Sequence, residues 1–197
     1  MRYEFIEIGT ADFDTELQDH RGRQGISVDI IQEYLDHLPT VPNVKKRCYG
    51  ISNVSGEVDA FRPIFPDSFP GWLRGCVSIL KPHPHVIQYC HAHHVDYQSY
   101  IHVQKVPILS VEQFIHREEI TGVEYLKIDT EGHDCVILNA WLDAAQAVPS
   151  LLPSHILYES KDLTDMEERN QMQHRLRGLG YRLVIHEYDV EAWMESK

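Results

Sequence analysis

Asp129, Glu131, His133 and Asp134 fall within six residues, in the stretch LKIDTEGHD from Leu126 to Asp134. Carboxylates and an imidazole at this spacing can take up a proton, hold a divalent cation or cap a helix. The residues before them narrow the choice. Val123 to Ile128 is an apolar run that begins after Thr121-Gly122 and stops at Asp129. A short strand covered on both faces reads this way, and in open α/β sheets ligands bind just beyond the carboxyl ends of the strands. The acidic cluster stands where a reaction centre would be, and helix capping is the competing account of the same residues.

Other strand ends repeat the pattern. Tyr3 to Ile8 reads as a first strand that carries Glu7 and runs into Gly9-Thr10-Ala11-Asp12. A glycine there lets the backbone approach a nucleotide-like ligand, with the next helix, expected from about Asp12 to His20, facing it. Gly25 to Val28 is a second strand that ends at Asp29, 20 residues after Gly9. That is the spacing of an acid that binds ribose hydroxyls, or of an ordinary helix-start Asp before the amphipathic stretch Ile30 to Leu38. Val44 to Ser52 reads as a third strand, with Ser52 and Asn53 on the same rim. His155 to Tyr158 is a further strand, ending in Glu159. Helix capping alone does not account for acids at four successive strand ends.

These residues need a frame to hold them. Glu57 to Phe61 alternates like an exposed strand, and Ile101 to Ile108 resumes strand character. Ser110 to Gln113 and Thr164 to Glu167 are capping-box patterns opening helices to about Glu119 and Gly178. His133 to Ala147 is a long helix with Val136, Ile137, Ala140, Trp141 and Ala144 on one stripe. Tyr181 to His186 is a strand, and Val190 to Trp193 a last short edge strand. Alternating strands and helices make a doubly wound α/β sheet, in one domain over residues 1–197. Arg62 to Tyr100 is the irregular part, crowded by Pro63, Pro66, Pro70, Pro82 and Pro84. A long loop of this kind reads as a lid presenting Arg74, Lys81 and aromatics to a polar or anionic substrate. His91, His93 and His94 within it fit no zinc spacing and read as a solvated loop.

The formal net charge of −12, from 30 acidic and 18 basic residues, disfavours a nucleic-acid backbone as partner. No stretch approaches a membrane span of about 20 apolar residues, and no signal-peptide layout opens the chain. Cys48, Cys76, Cys90 and Cys135 are scattered without a CxxC, as in a reduced cytoplasmic protein.

Taken together, FIEIGT, GISVDIIQEYLDHLP, YGISNVSGEVDAF, WLRGCVSILKPH, VPILSVEQFI and YLKIDTEGHDCVIL, from about Phe5 to Leu138, resemble the FkbM family of class I methyltransferases. ILYES and GYRLV continue the likeness, and KIDTEGHD is its most specific string. The resemblance implies a Rossmann-like, mostly parallel sheet of order 3-2-1-4-5-7-6 with the last strand antiparallel. It also implies O-methyl transfer from S-adenosylmethionine to a hydroxyl of a sugar or similar small polar molecule. Carried over by position, Glu7, Gly9 and Thr10 match the cofactor turn, and Asp29 with Ile30 the ribose position. Ser52 and Asn53 match the strip near the adenine, and Asp129 the residue beside the methionine part and the acceptor. Many class I enzymes have a second glycine about four residues after the first, where this chain has Phe13 or Asp14. A sugar hydroxyl is a poor acid and needs help to lose its proton. Either Asp129 or His133 is the base, or Asp129 and Glu159, with Glu131, hold Mg2+ that acidifies the hydroxyl. A non-catalytic nucleotide-binding domain is the alternative. An NAD-dependent oxidoreductase is disfavoured, because Gly9 to Asp14 is not G-x-G-x-x-G.

Overall fold

The computed structural model describes residues 1–12, 15–17, 23–161 and 163–194. In chain order the elements are β1 (Arg2–Ile8), β2 (Gly25–Asp29), α1 (Gln32–His37), β3 (Val44–Cys48), β4 (Gly50–Ser52), β5 (Gly56–Pro63), α2 (Pro84–Ala92) and β6 (Ile101–Ser110). There follow α3 (Val111–Arg117), β7 (Gly122–Ile128), α4 (Asp134–Ala147), β8 (His155–Glu159), α5 (Met166–Gly178), β9 (Tyr181–Ile185) and β10 (Asp189–Met194).

Seven of these strands make one sheet in the spatial order β3-β2-β1-β7-β8-β10-β9. β1, β2, β3, β7 and β8 run parallel, and β10 is antiparallel to both of its neighbours. The strand order along the whole chain therefore differs from the expected 3-2-1-4-5-7-6. Three strands, β4, β5 and β6, fall between the third and fourth strands of the large sheet and form a separate sheet; the sequence marks β5 and β6 as strands but runs β4 together with β3. Counted within the large sheet alone, its seven strands lie 3-2-1-4-5-7-6. β10 is also no edge strand: it pairs with β8 on one side and β9 on the other.

β1, β2 and β7 are buried almost throughout, which is why they read as apolar runs rather than alternations. Tyr3, Ile6, Ile8, Leu126, Ile128 and Ile156 form the main core, into which Trp141 of α4 and Phe114 of α3 are wholly buried. The Trp141 indole N–H finds the Leu151 carbonyl at 2.9 Å, so its polar atom is satisfied inside the core.

The run from Val44 to Ser52 is not one strand. It breaks at Tyr49: β3 stays on the edge of the large sheet, while β4 pairs in parallel with β6 in a second sheet of order β4-β6-β5. The segment 62–100 is likewise more ordered than an irregular loop. It holds a 3-10 turn at Gly71–Gly75, the nine-residue α2 and a small core of Leu73, Cys76, Val86 and Cys90 under Phe65, Phe69 and Tyr89. His91, His93 and His94 are exposed at the end of α2. Ser110 caps α3, its hydroxyl accepting from the Gln113 amide at 3.2 Å. At α5 the cap is Asp165, which accepts from the Glu167 amide, and not Thr164. The helix expected from about residue 12 to 20 falls largely outside the described residues.

Candidate active site

Register sets the rim. Ile8 of β1 stands opposite Val28 of β2 and Ile128 of β7, and Ile128 stands opposite Tyr158 of β8. Gly9, Asp29, Asp129 and Glu159, each the next residue, therefore meet at the carboxyl ends of adjacent strands. Two backbone bonds lock them: the Gly9 amide donates to the Val28 carbonyl at 2.9 Å, and the Asp129 amide to the Ile8 carbonyl at 2.8 Å. Gly9 has φ +81°, and a β-carbon on it would lie 1.7 Å from the Asp129 carbonyl oxygen. Only glycine lets the two strand ends come this close.

Above this rim lies a cavity of about 280 Å³. Of the residues singled out from the sequence, Gly9, Thr10, Asp29, Ile30, Asp129, Glu131 and His133 line it. Tyr34, Tyr49, Trp72, Cys76, Val77, Ile79, His85 and Lys161 are also among its lining residues. The strip Trp72 to Ile79 comes from the segment 62–100, so part of that segment does wall the cavity. Arg74 turns instead to Asp12, its Nε donating to Oδ1 at 3.0 Å.

Asp29 is buried and works on the turn above it. Its Oδ2 accepts from the amides of Thr10 at 3.1 Å and Ala11 at 2.9 Å, and its Oδ1 from Ile31 at 2.7 Å. A carboxylate thus fastens the turn, with Ala11 at φ +46°. Phe13 and Asp14, at the place of a second glycine, lie outside the described residues. Glu7 sits below the cavity, fully buried. It accepts from the Thr15 hydroxyl and the Glu16 amide at 2.9 Å each and from Ser27 at 3.1 Å, with Lys127 Nζ at 3.5 Å. Burial pushes its carboxyl up, and Lys127 works against that. Ser52 also stays out of the lining, but it holds His133: Oγ and Nε2 are 2.9 Å apart. Asn53 is exposed at the end of β4.

Asp129 is pushed up to about 7, by burial first and then by the charge of Glu131. His133 is lowered by burial, so its imidazole is neutral at pH 7. Asp134 is fully buried and shapes the turn between them: it accepts from the Thr130 amide at 3.2 Å and from the Thr130 hydroxyl and the Gly132 amide at 3.1 Å each. Carboxylate oxygens of Asp129, Glu131 and Glu159, the three acids named for magnesium, come within 4.8 Å of one another. Lys161 is among them, its ammonium in contact with Glu159 Oε1 and 3.6 Å from Glu131 Oε2. The sequence reading passed over Lys161, although it follows the strand end Glu159-Ser160 directly.

The family model for the methyltransferase FkbM domain matches residues 42–183. No curated protein and no solved structure matches the chain. The matched span begins after β2, so Gly9 and Asp29 rest on geometry alone, while Asp129, Glu131, His133, Glu159 and Lys161 all lie inside it. Well over half of the chain is covered, and the KIDTEGHD string sits at the centre of the rim: the chain belongs to the FkbM methyltransferase family.

Proposed function

We propose that the chain transfers a methyl group from S-adenosylmethionine to a hydroxyl of a sugar or similar small polar molecule. The observation that carries this reading is that one cavity is lined by both Asp29 at the tip of β2 and Asp129 at the tip of β7. The lining fits the cofactor. Ile8, Val28, Ile30 and Ile51 give apolar wall, Gly9 to Ala11 give backbone, and the amides that hold Asp29 fix a carboxylate at the ribose position. When bound, the cofactor supplies an electrophilic methyl on a sulfonium.

The chain's own residues have two tasks: to align the acceptor and to receive its proton. Asp129 faces the cavity and, at about 7, is basic enough to serve while still half ionised at neutral pH. We assign it as the base. His133 presents a neutral ring to the same cavity, with Nε2 engaged by Ser52, and its place is to orient the acceptor. Segment 62–100 acts as the lid, with Trp72, 45% exposed at the cavity wall, as the face against which a sugar ring packs.

The test is calorimetric titration of S-adenosylmethionine into the wild type and Asp29→Ala, followed by a screen of sugar acceptors for released S-adenosylhomocysteine. Saturable binding, weakened at least about tenfold in the variant, is expected. An unresponsive wild type would overturn the reading.

A further inference from the structure

We propose that Lys161 is the built-in cation of this site: its ammonium stands among Glu131, Glu159 and Asp129, where a divalent ion would otherwise be held, so the native protein has no use for such an ion. The part that concerns methyl transfer rests on the function proposed above; the part that concerns ion binding does not.

The carboxylate oxygens of the three acids lie within 4.8 Å of one another, and Glu159 is only 3% exposed. Several like charges in a dry site demand a counter-charge or a proton. Lys161 Nζ touches Glu159 Oε1, lies 3.6 Å from Glu131 Oε2 and sits 5.6 Å over the Tyr188 ring. Its position is therefore fixed from two sides, and it lines the cavity. Glu159 Oε2 is buried and carries no hydrogen bond among the described residues, and Glu131 Oε2 faces His83 Nε2 at 2.8 Å and the Lys161 ammonium at 3.6 Å. Without the ammonium the two carboxylates would form an anionic trap.

A rival arrangement does not survive the geometry. Cys76, His83 and Glu131 also bring ligand atoms within 4.8 Å of one another. His83 Nδ1 accepts from the His85 amide at 3.1 Å, so in the neutral ring the proton is on Nε2. Nε2 is the atom that faces Glu131, at 2.8 Å, and a protonated nitrogen is no metal ligand. The Cys76 thiol, pushed up to about 12 mainly by burial, stays protonated as well.

In the transfer, the bond from the acceptor oxygen to the methyl carbon forms as the sulfur–methyl bond breaks. The sulfonium leaves as a neutral thioether, and the hydroxyl proton goes to Asp129. Lys161 keeps its own proton throughout. It neutralises Glu131 and Glu159, which would otherwise repel the negative charge that develops on the acceptor oxygen. That makes it a positioning residue, acting through the two glutamates.

The probe is Mn2+ alone, followed by electron paramagnetic resonance and calorimetry. The wild type and Lys161→Arg are expected to show no site at the cluster. Lys161→Ala is expected to gain one Mn2+ site, lost again when Glu159→Gln is added. A wild-type Mn2+ site removed by Glu159→Gln, or no gain in a folded Lys161→Ala, would overturn the proposal. Should Lys161→Ala not fold, Lys161→Met, which keeps the chain volume, takes its place, and the wild-type titration decides in either case. Wild-type turnover should be unchanged by a chelator. kcat should fall about a hundredfold in Lys161→Ala while KM for S-adenosylmethionine holds, and Lys161→Arg should recover most of it. Loss of turnover on chelation would equally overturn the proposal. Absent cofactor binding would count against the proposed function and leave the Mn2+ result standing.

Discussion

Asp129 and Asp134 share one short acidic string, and the string does not tell them apart. Their surroundings do. Asp129 faces the cavity, whereas Asp134 is closed off and spends its oxygens on Thr130 and Gly132. Asp129→Asn should lower kcat by about 10² to 10⁴-fold while leaving S-adenosylmethionine binding within about threefold, as turnover and calorimetry would show. If Asp129 is the base it must be ionised, so kcat/KM should climb as pH rises through about 7 and then level off. Asp134→Ala leaves buried donors at Thr130 and Gly132 without an acceptor. It should cost roughly 3 kcal/mol, or about 6–12 °C in Tm, read by thermal denaturation. The same two acids set a pH trend in stability. Both rise in the folded state, from 3.8 to about 7 for Asp129 and about 8 for Asp134, with burial the first cause in each. The native chain then binds more protons than the unfolded chain between pH 4 and 8. Stability should therefore fall as pH rises across that window, seen as a lower urea midpoint at pH 8 than at pH 6.

Among the elements, those that read best from sequence are those with two buried faces. β1, β2 and β7 announced themselves as apolar runs, and the residue after each run lies at the rim. What stayed hidden had local causes. The break between β3 and β4 is a single residue, Tyr49, and single-residue breaks leave no change of period. α2 was obscured because its cap is His83, which is outside the usual capping residues, even though Pro84 at its first position is a regular opening. The role of Asp29 in fastening the first turn could not be read either, since a strand-end Asp looks the same whether it holds a ligand or backbone amides. Gly9→Ala is the sharpest test at this scale. Its β-carbon would force β1 and β7 apart at the rim, so binding of S-adenosylmethionine should be lost and the protein destabilised by more than the about 1 kcal/mol of an ordinary glycine substitution. Chemical denaturation beside calorimetry would check both.

For the whole molecule, the cavity is walled by parts far apart in the chain. The first turn and the strip Trp72 to Ile79 both line it and are joined by Arg74 to Asp12, while the Tyr34 hydroxyl of α1 donates to the Arg74 carbonyl at 2.5 Å. The Arg74 side chain is half exposed, and such ion pairs contribute at most about 1 kcal/mol. Arg74→Ala should accordingly raise KM for S-adenosylmethionine by no more than about fivefold and leave Tm almost unmoved. A large loss of stability in a melting curve would show that the strip is held by this pair rather than by its own small core. Among the described residues no helix is long and apolar enough to cross a membrane.

The place of β10 has a consequence for how the chain is made. Synthesis delivers β9 before β10, yet β9 joins the sheet only through β10. Until β10 has left the ribosome and folded in, β8 has an open flank and β9 has no neighbour. The sheet cannot be completed before β10 is in place, and a chain halted short of it would hold out the unpaired flank of β8 to any chaperone, or any other nascent chain, within reach.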